Sequence, residues 1–184
     1  MRFLTLLLSA LLFAAPVAAQ DNKFTFDKSH TRILFFINHM GFSETVGEFT
    51  VYDGHFVFDE QDPTKSSVDV VLKPSGIRTP SPELDKHLQG TDFFNTEKFP
   101  DITFKSTAVK VTGKNTGEAT GDLTILGVTK PATLKITFNK ADYHMMTGSY
   151  VAGFSGEAIV KRSDFGMNYG IPMVGDEVRL LVHT

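Results

Sequence analysis

Residues Thr31 to His39 alternate at period two, with Ile33, Phe35, Ile37 and His39 on one face and Arg32, Leu34, Phe36 and Asn38 on the other. That alternation predicts a strand. Both faces carry apolar residues, so the outer face is expected to be partly covered too. Val46 to Tyr52 and Gly54 to Asp59 read as two more strands, with Asp53-Gly54 as the turn signal between them. Val68, Val70 and Leu72 alternate within Ser66 to Lys73. Over Asp101 to Thr112, Ile102, Phe104 and Ser106 face one way and Thr103 and Lys105 the other. Lys114 to Gly117 reads as a turn, followed by a strand over Glu118 to Leu126. Leu134, Ile136 and Phe138 then share a face within Ala132 to Lys140. Ser149 to Val160 and Glu177 to His183 complete about nine strand signals at hairpin spacing.

One segment breaks the pattern. Between Thr79 and Leu88, Ser81 suits a helix N-cap, Pro82 the first helical position and Glu83 the positive end of the helix dipole. Leu84, His87 and Leu88 fall on one face at helical spacing, and Gly90 ends the helix. Such a helix must lay its apolar face over something, and one opening of a barrel is the natural place. The strand set itself predicts an all-β domain. Closing a large antiparallel sheet removes its unpaired edges. A barrel of about eight strands has an interior able to hold one small ligand.

The first residues belong outside that fold. Arg2, the apolar run Phe3 to Ala15, Pro16 and the small residues Val17-Ala18-Ala19 follow the order of a secretory signal peptide. The run is too short for a membrane span, which takes about 20 apolar residues. The expected division is a signal peptide over 1–19 and a single barrel domain over 20–184, exported to the periplasm, with no integral membrane segment after processing. A lipoprotein anchor is excluded, because the chain has no cysteine. For the same reason packing and backbone hydrogen bonds, rather than disulfides, must hold the fold.

Charge and composition narrow the function. A net charge of −3, without a long basic run, argues against nucleic acid as a partner. Phenylalanine is abundant, at 17 residues, and tryptophan is absent. Phenylalanine has no polar handle, so an interior built from it can be dry. Six histidines invite a metal centre, but no His-x-x-x-His spacing or histidine–carboxylate cluster is present, and no metal or other cofactor is expected. His30 and His39 flank the first long strand and could share an ion only if His30 lay off it. They read as hydrogen-bonded histidines at a barrel rim, or as contacts to a ligand headgroup. Asp164-Phe165-Gly166 reads as a turn closed by an Arg162–Asp164 pair, with Gly166 supplying unusual backbone angles. Ser155 lacks the Gly-x-Ser-x-Gly elbow of a hydrolase nucleophile, and no catalytic residue is assigned.

The apolar faces carry the functional reading. Ile33, Phe35, Ile37, Phe49, Val70, Leu72, Ile102, Phe104, Ile125, Phe138 and Phe154 are the inward candidates, with His39, Leu84, His87 and Leu88 at the openings. They either fill the barrel or line a cavity for an apolar guest. Arg78, Lys86 and His87 are candidates to meet a polar headgroup at the mouth.

Several local runs together resemble the YceI-like family of exported lipid-binding proteins. They are Asp27 to Thr31, Phe35 to His39, Gly47-Glu48-Phe49, Phe58-Asp59, Ile77-Arg78-Thr79, Asp85 to Leu88, Asp92 to Asn95, Phe99 to Ser106, Gly121 to Pro131 and Arg162 to Gly166. No one run is specific, but their order and spacing are, and they extend from Phe24 to Val182. Thr31, where serine is common, and Asn95, where aspartate is common, are minor departures. The resemblance implies a lipocalin-like, eight-stranded antiparallel β-barrel with a long apolar cavity. It further implies binding of a polyisoprenoid, quinone-type isoprenoid or other long-chain lipid, often in a homodimer, for transport or storage rather than catalysis. An enzyme acting on a lipid or quinone, and a ligand-free partner-binding barrel, are the alternatives.

Overall fold

A computed structural model describes residues 22–184; the predicted signal peptide lies outside the described residues. Eleven strand segments form a single antiparallel sheet: β1 (Lys23–Thr25), β2 (Arg32–His39), β3 (Ser43–Phe49), β4 (Tyr52–Val57), β5 (Ser67–Leu72), β6 (Ile77–Arg78), β7 (Ile102–Val111), β8 (Thr116–Ile125), β9 (Val128–Tyr143), β10 (Tyr150–Lys161) and β11 (Val174–His183). The helix α1 (Pro82–Gln89) lies between β6 and β7. The strand order is β1-β4-β5-β7-β8-β9-β10-β11-β2-β3-β6.

That order is linear, but the chain itself closes the curl. β3, near one end of the order, and β4, near the other, are halves of one strand bent at Thr50-Val51. At the bend Thr50 donates through its backbone N–H (3.1 Å) and its hydroxyl (2.7 Å) to the Gly76 carbonyl. Lys73 N–H donates to the Val51 carbonyl at 2.8 Å. Gly76 permits this close approach, since a Cβ there would lie 2.5 Å from Val51 Cγ2.

The excess over eight strands follows from local breaks. The bend divides β3 from β4. Pro74 opens a 3-10 turn, Pro74–Gly76, that divides β5 from β6. Proline has no N–H to continue a ladder. β1 is a three-residue addition paired to β4.

Asp53-Gly54 is not a turn. Both residues lie inside β4, opposite Val71 and Val70 of β5. Gly54 has φ +138°, and a Cβ on it would come within 2.2 Å of the Asp69 carbonyl oxygen. The glycine is there for close strand approach, which a dipeptide turn signal cannot distinguish from reversal. Bulges at Thr107 in β7 and at Asn139 in β9, the latter opposite Gly153 and Phe154 of β10, shift the register. Past the first bulge the inward positions of β7 become Val109 and Val111.

α1 forms as its sequence predicts. Ser81 Oγ accepts from Leu84 N–H at 3.3 Å, Pro82 starts the helix, and Gly90 N–H bonds back to the His87 carbonyl at 3.0 Å. Buried Asp85 accepts from Thr79 N–H (2.6 Å) and the Thr79 hydroxyl (2.8 Å), tying the helix to the end of β6. Leu88 is buried and Leu84 packs against the core that includes Phe35, Phe49, Ile77, Phe93 and Phe165. Gly54→Ala should cost about 2 kcal/mol through strain and overpacking, read as a lower denaturant midpoint; an unchanged midpoint would mean β4 and β5 can separate locally at no cost.

Candidate ligand-binding site

The curled sheet surrounds a cavity of about 790 Å³. Its wall is built by strand parity: because side chains alternate, a strand wrapped around a space contributes every second residue to it. β2 supplies Ile33, Phe35, Ile37 and His39; β3 supplies Phe49; β5 supplies Val70 and Leu72. Ile102 and Phe104 come from β7, Ile125 from β8, Phe138 from β9 and Phe154 from β10. α1 adds Leu84, His87 and Leu88. All fifteen residues singled out in the sequence therefore lie on this one wall.

Other wall residues went unassigned. Val178, Leu180 and Val182 on β11, and Leu134 and Ile136 on β9, carry the same period-two signal. Phe93, Phe94, Phe165, Met167 and Tyr169 reach the cavity from irregular segments, where no periodicity marks them. Phe56, Phe58, Phe138 and Phe154 make a ring cluster with centroids 5.0–5.5 Å apart in contacting pairs. Phe24 stacks on Phe56 at 5.1 Å.

The size decides between a filled and a lined barrel. A packed side-chain core leaves no space of 790 Å³, so the barrel is lined rather than filled. A wall of hydrocarbon offers water few partners.

Cavity-lining residues are exposed at two ends, which differ chemically. At one, His39, His87 and Tyr169 meet solvent; His87 Nε2 lies 2.9 Å from Asp92 Oδ2, and the His87 and Tyr169 rings are 5.2 Å apart. At the other lie Glu60, Lys114 and Asn115. There Tyr150 donates its hydroxyl to Glu60, which pushes the tyrosine up to about 12.

Arg78 and Lys86 are not at the mouth. They flank a separate small polar pocket with Asp85 and Gln89, and Arg78 Nη1 donates to the Ile77 carbonyl at 2.8 Å. The helix directs Leu84 and Leu88 inward, which turns its polar face away. His30 is also remote, caging Asp27 in the turn before β2: Ser29 Oγ (2.6 Å), His30 Nδ1 (2.8 Å) and Ser29 N–H (2.9 Å) all bond that carboxylate. These bonds, led by the Ser29 hydroxyl, hold Asp27 well below the usual carboxylate range. Among the described residues no group of three or more ligating side chains could hold a metal ion.

Arg162 does not pair with Asp164. It is buried in the wall and donates to three backbone carbonyls: Nε to Gly175 (2.8 Å), Nη1 to Met167 (3.0 Å) and Nη2 to Val174 (3.0 Å). It thus clamps the loop between β10 and β11 to the start of β11. Gly166, at φ +85°, turns the chain as expected. Asp176 fixes the same loop by accepting from Ser163 N–H (2.9 Å) and Ser163 Oγ (2.8 Å). The backbone bond leads in holding its pKa below 3.8.

The family model described as YceI-like domain matches residues 24–184. The chain belongs to the YceI-like family. A UPF0312 protein of Pseudomonas aeruginosa is 40% identical over 175 residues, covering 95% of this chain and 90% of that protein. One from Azotobacter vinelandii is 38% identical over 174 residues, with the same coverage. The YceI protein of Campylobacter jejuni aligns with a TM-score of 0.71 at 29% identity, over 80% of this chain and 87% of that one. BcnA of Burkholderia cenocepacia aligns with a TM-score of 0.77 at 24% identity, over 85% and 96%. A polyisoprenoid binding domain from Saccharophagus degradans aligns at 0.64 and 10% identity, over 89% and 97%. The last two establish the shared YceI-type fold alone.

Two predictions follow from the clamp. Arg162→Lys cannot satisfy three carbonyls in that geometry and should cost about 3 kcal/mol by denaturant titration; a loss near zero would show the carbonyls find other partners. Because the folded pKa of Asp176 is depressed, its contribution is complete above 3.8 and is lost as pH falls through the lower folded value. Thermal midpoints should drop more steeply below about pH 4 in the wild type than in Asp176→Asn, and parallel curves would rule out a role for this charge.

Proposed function

We propose that the cavity holds the hydrocarbon chain of a long apolar lipid, an isoprenoid or quinone-type isoprenoid, and that the protein carries or stores it in the periplasm without covalent chemistry. One observation carries this reading: an unfilled space of about 790 Å³ walled by aliphatic side chains and phenylalanines. Burying a tail there is worth ~0.8 kcal/mol per CH₂, so a ten-carbon stretch gives ~8 kcal/mol gross. Part is lost in ordering the chain. The remainder supports binding with no charged contact to the tail. The polyisoprenoid binding domain named above has the same curled sheet, which is consistent with this use of the fold.

Binding is favoured over catalysis because the wall presents no assembled catalytic constellation. The nearest approach is Ser155 Oγ, 3.2 Å from His183 Nδ1 and already accepting from Asn139 Nδ2 at 3.1 Å. Among the described residues no carboxylate orients that histidine. The signal-peptide pattern supports export as part of this proposal, and the family resemblance supports a homodimer; light scattering on the purified protein tests the latter.

Native mass spectrometry and solvent extraction of protein from its native compartment should recover a long-chain lipid. Phe104→Arg places a charge against the bound tail and should lower uptake of a geranylgeraniol probe about tenfold or more, whereas Phe104→Leu should retain it. Repeated recovery of empty protein that takes up no isoprenoid or fatty-chain probe would overturn the proposal. Turnover of lipid esters or quinols would move it to the enzyme reading.

A further inference from the structure

Exposed apolar side chains gather in two places: the β9–β10 hairpin, where Tyr143, Met145 and Met146 stand beside the Lys140–Asp142 ion pair, and one end of the cavity. At the cavity end Phe42 is 88% exposed, Met173 61%, Met40 51% and Tyr169 50%. They come from two segments: the turn between β2 and β3, and the loop before β11. Met40 N–H donates to the Met173 carbonyl at 2.7 Å, so the two segments are joined. The turn is ordered by Phe42 N–H to the His39 carbonyl (3.1 Å) and Gly41 N–H to Asn38 Oδ1 (2.9 Å). Met40 there has φ +56°. A methionine held in the left-handed region with its side chain half in water gains little for the fold.

The two segments that carry these side chains are free of formal charge. No Asp, Glu, Lys or Arg occurs from Ile33 to Ser43 or from Phe165 to Gly175, in a chain that is 21% charged. The opposite mouth is lined by Glu60 and Lys114. Bringing that end against hydrocarbon would strip water from two charges, whereas these two segments carry none; at this end the Asp92 carboxylate lies 2.9 Å from His87 Nε2. The rim is also continuous with the cavity, since His39 and Tyr169 are at once exposed and part of its wall.

We infer that this rim is a docking surface for a phospholipid bilayer, through which the lipid enters and leaves the cavity. The inference rests on the proposed lipid-carrier function. A bilayer fits better than a second protein. At the ~150–250 Å² an aromatic side chain offers, four partly exposed side chains present on the order of 500 Å². That falls short of the ~800 Å² per partner that stable protein association takes. Protruding side chains on loop tips suit shallow insertion, whose strength scales with the apolar area buried. The net charge of −3 gives no general electrostatic attraction to anionic lipid, so docking should be insensitive to salt and to added phosphatidylglycerol.

The test uses the full mature protein and sedimentation with phosphatidylcholine vesicles, with and without phosphatidylglycerol. The triple variant Met40→Ser, Phe42→Ser, Met173→Ser should lose vesicle binding about tenfold and slow transfer of a geranylgeraniol probe from vesicles. Its melting temperature and its equilibrium uptake of the probe from solution should stay at the wild-type level. Met145→Ser with Met146→Ser, on the exposed β9–β10 hairpin, should bind vesicles as the wild type does. The inference is overturned if the wild type does not sediment with vesicles, or if the triple variant sediments equally. It is overturned too if the triple variant instead dissociates a dimer in light scattering, which would make the rim a self-interface. Sedimentation reads docking with or without cargo, so a failure of probe uptake by the wild type sinks the carrier function separately.

Discussion

At Thr50 and Val51 one strand leaves one end of the sheet and joins the other, and the cavity exists because of that bend. β3 is hydrogen-bonded to β2, β4 to β5, and the backbone groups freed between them are taken up by Gly76 and Lys73. Were the bend to open, the alternating faces of β2, β5 and β7 would no longer surround a common space. Ile33, Phe35 and Phe104 would then be one exposed sheet face rather than a wall. Closure by a bent strand, instead of a continuous ladder between two edges, explains why a short residue at 76 and a proline at 74 sit beside the seam.

The interior is divided along its length. Under α1, Leu88, Phe93, Phe49 and Phe165 pack into a core that stabilises the fold. Beyond it the walls stand around the cavity, and towards the far end Phe56 and Phe58 reach across the barrel from the β4 side to Phe138 and Phe154 on β9 and β10. Such a structure relies on the sheet ladder and on loop clamps such as Arg162 more than a filled barrel does, because much of its apolar surface has no protein partner. A guest of the proposed kind would contribute packing that the chain lacks, since binding of a ligand to the native state adds to its stability.

An apolar wall recognises length, width and flexibility, not functional groups. In the proposed carrier, selectivity would therefore rest on the shape of the space and on what meets the mouths. The two ends contrast: His39 and Tyr169 within charge-free segments, with His87 beside Asp92, at one, and Glu60, Lys114 and Asn115 at the other. A tail that enters tail-first leaves its headgroup among one of these sets. Arg162 reaches the wall as well, but its three carbonyl partners account for its burial without a ligand.

Parity within each strand was legible in the sequence, since side chains alternate wherever the backbone is extended, whatever it packs against. That local rule placed Ile33, Phe35, Ile37, Phe104 and Phe138 on the correct side. Local chemistry likewise placed α1, because Ser81, Pro82 and Gly90 act within one turn of the helix. Where the rule failed, a second segment was the cause. Asp53-Gly54 resembles a turn but serves the approach of β5, and Arg162 takes carbonyls from a loop rather than Asp164. Phe93, Met167 and Tyr169 reach the cavity from segments with no period to read. Whether the barrel is solid or hollow belongs to the tertiary structure alone: it depends on how far apart opposite walls stand, and that distance is set by the bend, the bulges and the number of strands acting together.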